Sequence, residues 1–396
     1  MRLLMIAKNL PPVPDPEALC TAKLLEGMHR CGLSVEVLTA TPQPEALASK
    51  WHIVEEHGKE RFPERIRRNL ARYPEGGWDW AKAAARRIRR LHATQPFDAV
   101  YSRGMPFVSH LAAWRSGLPV NVAIVAHFSD PWPQTDFWAD PGGRRLWWHR
   151  RLIPSFTAMT YSSLRVQRVC REQHWNQLPL VLPPSLVLPH AGRDLRLAEP
   201  ESLSGHEVLR FLHCGSLHGP RKPDYLLAAL ARLVTVRPEL RSRIRIEQVG
   251  PFSAALAEQA QVHKVADLVT QHGPCNYAAS LEHMKNADVL LLVENAEERE
   301  GVYLPSKFVD YLWAGRPIIA LTPQNGTVSD YLGPDYRLRA DPWEAGSIEK
   351  VLEATITDQN ELTSATEILI RLRSQFDPKQ VGHHLSEFLR SCMPQS

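Results

Sequence analysis

The stretch LPSKFVDYLWAGRPIIALTP, residues 304–323, sets a lysine and an aspartate three residues apart in apolar surroundings. Phe308 to Trp313 reads as a short helix and Pro317 to Thr322 as a buried strand, broken by Ala314-Gly315-Arg316. Ser306 and Lys307 then stand at the helix start, and Asp310 shares a face with Lys307. A lysine beside unpaired helix N–H groups suits a phosphate. An acid one turn on suits vicinal hydroxyls, so the pair describes a nucleoside diphosphate with its ribose. The same spacing also fits a surface ion pair within one helix, worth about 0.3 kcal/mol.

A second set lies in HCGSLHGPRKPDYLLAAL, residues 213–230. An apolar strand ends at Gly215 and Ser216, a loop carries Gly219, Arg221 and Lys222, and a helix begins near Asp224. Glycine allows backbone to approach a ligand, and two cations with a helix N-terminus complete a diphosphate site. Gly250, which ends the strand RIRIEQVG, joins this donor set.

The third is AIVAHFSDPW, residues 123–132, where a strand ends in His127, Ser129 and Asp130. His127 is a candidate contact to a reacting group. Asp130 is a candidate for orienting an acceptor or a loop. A strand-end histidine equally serves packing, and Asp130-Pro131 equally makes a turn.

The elements that must position these groups alternate strand and helix. RLLMIAKN, a proline-rich loop, the helical ALCTAKLLEGMHRCG and SVEVLTA make a strand, loop, helix, strand unit, followed by strands at FDAVYS (97–102) and VNVAIVAHF (120–128). The second half repeats the pattern through LRFLHCGS (209–216), DYLLAALARLV (224–234), RIRIEQVG (243–250), SAALAEQAQVHKV, LVTQHG, AASLEHMKNA and DVLLLVE (288–294). The expected class is α/β, two doubly wound Rossmann-like domains facing a central cleft, where such sheets bind ligands. The expected domains span 1–190 and 203–375, followed by a C-terminal helix at 376–396. The linker is expected within 182–202.

At 396 residues two domains are the natural prior, and 44% hydrophobic content is that of a globular chain. No apolar run reaches membrane-spanning length, and the N-terminal apolar stretch is too short for a signal peptide, which gives a cytoplasmic expectation. The six cysteines are widely spaced and the histidines form no metal-binding motif, so no metal is expected. The net charge of +4 combines a basic first half, through His190, with an acidic second half. HGKERFPERIRRNLARYPEGGWDWAKAAARRIRRLHATQ and RRLWWHRRL (144–152) mix arginines with tryptophans. They are either solvated basic faces with tryptophans packed inward or a surface for anionic headgroups. No recognised module supports nucleic acid as a partner.

The order LPSK, acid, YLWAGRPIIAL, with a glycine-ended strand and basic loop some ninety residues upstream, resembles the donor domain of GT-B glycosyltransferases, nearest the retaining family four. The similarity extends to DVLLLVE and to the N-terminal PP…GLSVEVLT pattern. It implies that Asp310 binds the ribose, that Arg221 and Lys222 hold the donor diphosphate, and that His127 contacts the transferred sugar. It further implies front-face substitution with retention, and a last helix that crosses back to the first domain. The chain departs from the family in several places. Val302 stands where a sugar-contacting glutamate is common, with Glu294, Glu297, Glu298 and Glu300 out of register. PPVPDP replaces the first-loop glycines, Ser216 replaces an arginine, and the ribose acid is an aspartate.

The resulting expectation is a retaining glycosyltransferase that moves a sugar from a nucleotide-diphosphate sugar to an acceptor hydroxyl in polysaccharide, lipopolysaccharide or other glycoconjugate synthesis. Fixed positive charge would stabilise the departing diphosphate, and no strand-ending D-x-D suggests a metal. The nucleotide sugar is substrate, with no separate cofactor. The acceptor stays open among a surface polysaccharide, a lipid-linked oligosaccharide and a small metabolite; the basic aromatic segments favour a membrane-associated one, such as a lipid-linked acceptor, with the protein cytoplasmic or peripheral on the inner face of the membrane. An epimerase of the same fold and a non-catalytic nucleotide-sugar-binding protein are the alternatives.

Overall fold

The computed structural model describes residues 1–42, 50–56, 62–132, 143–175, 181–193, 207–217, 219, 221–297 and 299–394. Contacts divide the chain into unit 1, Met1–Ala191 with Gln375–Ser396, and unit 2, Gly192–Ser374.

Unit 1 carries β1 (Leu3–Ile6), α1 (Pro16–Arg30), β2 (Val35–Thr39), β3 (Lys50–Ile53), α2 (Phe62–Leu70), α3 (Trp78–Thr94) and β4 (Ala99–Arg103). It continues through α4 (Val108–Ser116), β5 (Ala123–Phe128), α5 (Arg144–Leu152), β6 (Ala158–Tyr161), α6 (Leu164–Arg168) and β7 (Ser185–Val187). The strands form one parallel sheet in the order β3-β2-β1-β4-β5-β6-β7. The central strands are buried along their length because helices cover both faces. β7 lies within the stretch expected to be linker. Its short apolar run Ser-Leu-Val between prolines suits a sheet edge, where a missing N–H is tolerated. The remainder of that stretch, 194–202, lies outside the described residues.

Unit 2 carries β8 (Leu209–Cys214), α7 (Asp224–Val236), β9 (Ile244–Val249), α8 (Ala254–Val262), β10 (Val269–Gly273), α9 (Tyr277–Asn286) and β11 (Val289–Val293). Then follow α10 (Ser306–Ala314), β12 (Ile318–Leu321), α11 (Thr327–Leu332), β13 (Arg339–Ala340), α12 (Ala345–Thr357) and α13 (Gln359–Leu372). Its parallel sheet runs β10-β9-β8-β11-β12-β13. The strand order reverses between β8 and β11, so the loops leaving their carboxyl ends diverge. That divergence opens the crevice where doubly wound sheets take ligands.

The last helix, α14 (Pro378–Ser391), belongs to unit 1. Asp377 caps it by accepting from the Gln380 N–H at 2.9 Å, with Pro378 in the first turn. Its Val381, Leu385 and Leu389 join the buried cluster of Leu24, Leu25 and Met28 from α1. The two helices meet at glycines: a methyl group on Gly27 would lie 2.1 Å from the Pro378 carbonyl oxygen, and one on Gly382 would lie 2.6 Å from that of Gly27.

Candidate functional site

At the carboxyl end of β8 the backbone turns at Gly215, with φ +125°. Its N–H donates to the Val249 carbonyl at 2.7 Å, while Gly250, φ +145°, approaches so closely that a Cβ there would be 2.6 Å from the Gly215 oxygen. Only glycine fits both positions. The Gln248 amide donates to the Gly215 carbonyl at 2.8 Å and completes the turn.

Over this turn sits Lys307, in the first turn of α10. A methyl group on Gly215 would be 2.6 Å from its Nζ. His213, buried at the end of β8, donates from Nδ1 to the Leu291 carbonyl at 3.0 Å, because a carbonyl only accepts. That fixes Nε2 as the acceptor facing Lys307 Nζ at 3.3 Å. Burial, and then the Lys307 charge, hold His213 well below its usual range and so neutral. Burial, followed by the Arg221 guanidinium, lowers the Lys307 ammonium to about 7. Lys307 thus carries its charge against both burial and a neighbouring guanidinium, which favours an arriving anion.

Helix α10 is registered against the sheet by Tyr311. Its hydroxyl accepts from the Cys214 N–H at 2.8 Å and donates to the Leu291 carbonyl at 3.3 Å, joining the two strands at the switch point. Asp310, also buried, accepts from the Tyr277 hydroxyl at 2.8 Å. Pro305 precedes α10 without a side-chain cap, and Ser306 is its first residue. Lys222 stands apart from the Lys307 cluster: it pairs with Glu297 at 2.7 Å, both side chains exposed. Glu294, just beyond β11, is buried and accepts from the Thr322 hydroxyl. Burial raises its carboxyl to about 7 against the pull of Thr322, Arg221 and Lys307. Glu298 lies outside the described residues.

In unit 1, His127, the last residue but one of β5, is fully buried. Its Nδ1 is 2.9 Å from the Thr160 hydroxyl, which is 2.9 Å from the Tyr101 hydroxyl, and its Nε2 has no hydrogen-bond partner among the described residues. Burial, then Arg103, keep the ring neutral. Asp130 is half-buried two residues beyond the end of β5. A cluster that sequence reading missed lies close by. Glu17, in the first turn of α1, accepts from Arg103 at 2.5 Å and from Ser129 at 2.6 Å, while Arg103 also donates to Thr21 at 3.1 Å. Burial lifts the Glu17 carboxyl to about 7. Only its place just after PPVPDP hinted at a rim position.

No family model matches the chain. It is 29% identical over 132 residues to the D-inositol 3-phosphate glycosyltransferase of Thermobifida fusca, covering 32% of this chain and 28% of that relative's length. Its fold matches sucrose-phosphate synthase from Thermosynechococcus elongatus with TM-score 0.70 at 13% identity, over 99% of this chain and 98% of the other. The chain has the GT-B glycosyltransferase fold. Another GT-B structure, WaaG, a glycosyltransferase involved in lipopolysaccharide biosynthesis, matches with TM-score 0.63 at 16% identity over 98% and 99% of the two chains. Within this GT-B chain, Gly215, Ser216, Arg221, Gly250, Ser306, Lys307 and Asp310 all belong to unit 2, and Gly215, Gly250 and Lys307 meet at the carboxyl end of β8. His127 and Asp130 belong to unit 1.

Proposed function

We propose that the protein is a retaining glycosyltransferase that uses a nucleotide-diphosphate sugar. The observation that carries this reading is the placement of Lys307 over the Gly215 turn, with Arg221 beside it and Asp310 one helical turn on. Lys307, Arg221 and the uncapped start of α10 hold the diphosphate, and Asp310, oriented by Tyr277, accepts from the ribose hydroxyls. In the reaction the bond between the sugar's anomeric carbon and the phosphate oxygen breaks, and a bond from the acceptor oxygen forms on the same face. The departing phosphate oxygen takes the acceptor's proton, and the fixed cations stabilise the charge that develops on it. His127 offers its unpartnered Nε2 to the transferred sugar, and Asp130 orients the acceptor. Lys222 contributes when its exposed pairing with Glu297 opens.

The acceptor is a hydroxyl on a glycoconjugate, and the protein works at a cytoplasmic membrane face. Exposed apolar side chains of unit 1 support this. Ile66 and Leu70, one turn apart on α2, are 43% and 80% exposed, and Trp147 on α5 is 40% exposed. Trp148 donates to the Arg72 carbonyl at 3.1 Å and ties the end of α2 to α5. Arg72, Arg144, Arg150 and Trp147 line a cavity of about 180 Å³ there. Apolar side chains rimmed by arginines suit anionic headgroups, whereas Trp78, Trp80 and Trp148 pack inward. Among the described residues, no helix is long and apolar enough to cross a membrane.

The test is a calorimetric screen without added metal against UDP, GDP, dTDP, CDP and ADP with their sugar conjugates. Binding of one diphosphate, lost in Lys307→Ala and Asp310→Ala, supports the reading. A folded protein that binds none overturns it. Sedimentation with phosphatidylglycerol vesicles, reduced by Leu70→Glu with Trp147→Glu, tests the surface; wild-type protein left in the supernatant removes it.

A further inference from the structure

We infer that Arg103 and Tyr101 are positioning residues that act through Thr160 to hold the ring proton of His127 on Nε2, so that this nitrogen meets a ligand as a hydrogen-bond donor. The inference rests on the reading of His127 above and adds the residues that decide which kind of atom His127 recognises.

The sheet itself lines these groups up. Arg103, His127 and Thr160 are register partners on the neighbouring strands β4, β5 and β6, so their side chains share one face. Tyr101, two residues before Arg103 on β4, lies on that face too. Its hydroxyl is 2.9 Å from Thr160 Oγ1, and that oxygen is 2.9 Å from His127 Nδ1, with all four residues buried. Arg103 is fixed from α1: its Nε donates to the Thr21 hydroxyl at 3.1 Å, and its Nη2 donates to Glu17 at 2.5 Å. The guanidinium is also hydrogen-bonded to the Tyr101 hydroxyl. The His127 backbone is held as well, because its carbonyl accepts from the Gly104 N–H at 3.0 Å and from His110 Nε2 at 3.1 Å.

The direction of the chain follows from the group in it that can only donate. A guanidinium has no acceptor, so the Tyr101 oxygen accepts from Arg103 and sends its own proton to Thr160. Thr160 thereby accepts from Tyr101, and its own proton goes to His127 Nδ1, its remaining side-chain partner among the described residues. Nδ1 is then an acceptor. Burial and the Arg103 charge keep the ring neutral, which leaves one ring proton, on Nε2. That N–H has no partner among the described residues, and an unpaired buried donor is costly for folding alone. A ligand oxygen relieves the cost. A hydroxyl, ether or phosphate oxygen meets such a donor, whereas an ammonium is refused. Reversing the chain would give Nε2 a lone pair and the opposite preference.

The experiment reads the His127 tautomer in the free protein from side-chain nitrogen NMR shifts of isotopically labelled histidine, assigned by their loss in His127→Ala. Wild type is compared with Tyr101→Phe and Thr160→Val, each first shown to melt cooperatively. Donor turnover, followed as diphosphate release from the nucleotide sugar, and affinity for the bare diphosphate selected among UDP, GDP, dTDP, CDP and ADP are measured beside the spectra. Wild type is expected to show a protonated Nε2 and an unprotonated Nδ1. In Tyr101→Phe the Thr160 hydroxyl becomes free to accept from Nδ1–H, so the two tautomers mix. Turnover then falls about fivefold, while the bare diphosphate binds within about twofold of wild type. Thr160→Val removes the relay and acts in the same direction. A protonated Nδ1 in wild type overturns the inference, and so does a folded Tyr101→Phe whose tautomer or turnover is that of wild type. Because the tautomer is read without substrate, the two readings fail separately: a wild type that transfers no sugar overturns the transferase reading, and the spectra still decide the relay.

Discussion

Lys307 Nζ lies 3.3 Å from Nε2 of His213, a histidine whose other nitrogen is committed to the Leu291 carbonyl. The lysine therefore rests on a neutral acceptor rather than on an acid, and its positive charge stays available to a ligand. Replacing His213 by Leu removes that seat, and bare diphosphate affinity is expected to fall about tenfold. Asn, which keeps an acceptor, is expected to restore part of it. Titration of both variants with the diphosphate found in the screen checks this.

Diphosphate binding is expected to weaken as pH rises through about 7. The free protein holds Lys307 near that value, and an arriving anion favours the charged ammonium, so binding takes up a proton. Affinity is then full below pH 7 and declines above it. The groups facing the ammonium are Arg221, Cys214, Glu294 and His213. Calorimetric enthalpies that change with the ionisation heat of the buffer check the uptake. Lys307→Arg, charged throughout, is expected to flatten the profile.

Gly215→Ala is expected to cost binding and fold together. The added methyl would meet Lys307 Nζ at 2.6 Å, and φ +125° strains any L side chain. A loss of about 1–3 kcal/mol in stability with loss of diphosphate binding is the expected outcome, read by denaturant melts and calorimetry.

His127→Ala is expected to reduce turnover while bare nucleotide still binds, since His127 belongs to unit 1 and the diphosphate residues to unit 2. Thr160→Val, which removes the hydroxyl at Nδ1, is expected to act in the same direction with a smaller effect. Steady-state kinetics beside nucleotide titration separate the two. Turnover that His127→Ala leaves at the wild-type level refutes the assignment.

Gly27→Ala and Gly382→Ala are each expected to destabilise unit 1 by about 1–3 kcal/mol, because a methyl at either place meets backbone of the other helix rather than a movable side chain. Thermal melts of the single variants check this.

Much of this arrangement was legible in the order of the residues. The helix read at Phe308–Trp313 is the middle of α10, and Pro317–Thr322 brackets β12. DVLLLVE, LRFLHCGS and RIRIEQVG contain β11, β8 and β9. Apolar runs and strand-ending glycines are local signals, so they survive reading one residue at a time. The strand β7 was hidden by its prolines, and β3 by its half-exposed edge position. The pairings that tune the site, Glu294 with Thr322, Tyr277 with Asp310, and Glu17 with Arg103, join residues 28, 33 and 86 positions apart. Sequence spacing carries no trace of such contacts, because they arise only when parallel strands bring their ends together. Lys222 was read beside Arg221 as one cationic pair, yet adjacent loop residues point apart, and Lys222 reaches Glu297.

The return of α14 to unit 1 also bears on how the chain is made. Unit 1 begins at Met1 but closes only when residues 375–396 arrive, after every residue of unit 2 has emerged. During synthesis the groove on α1, floored by Gly27, stays open while unit 2 can already collapse on its own local contacts. The enclosed unit is thus the first able to finish folding. The enclosing one waits for the final helix, whose Val381, Leu385 and Leu389 complete the cluster of Leu24, Leu25 and Met28 where Gly382 docks against Gly27.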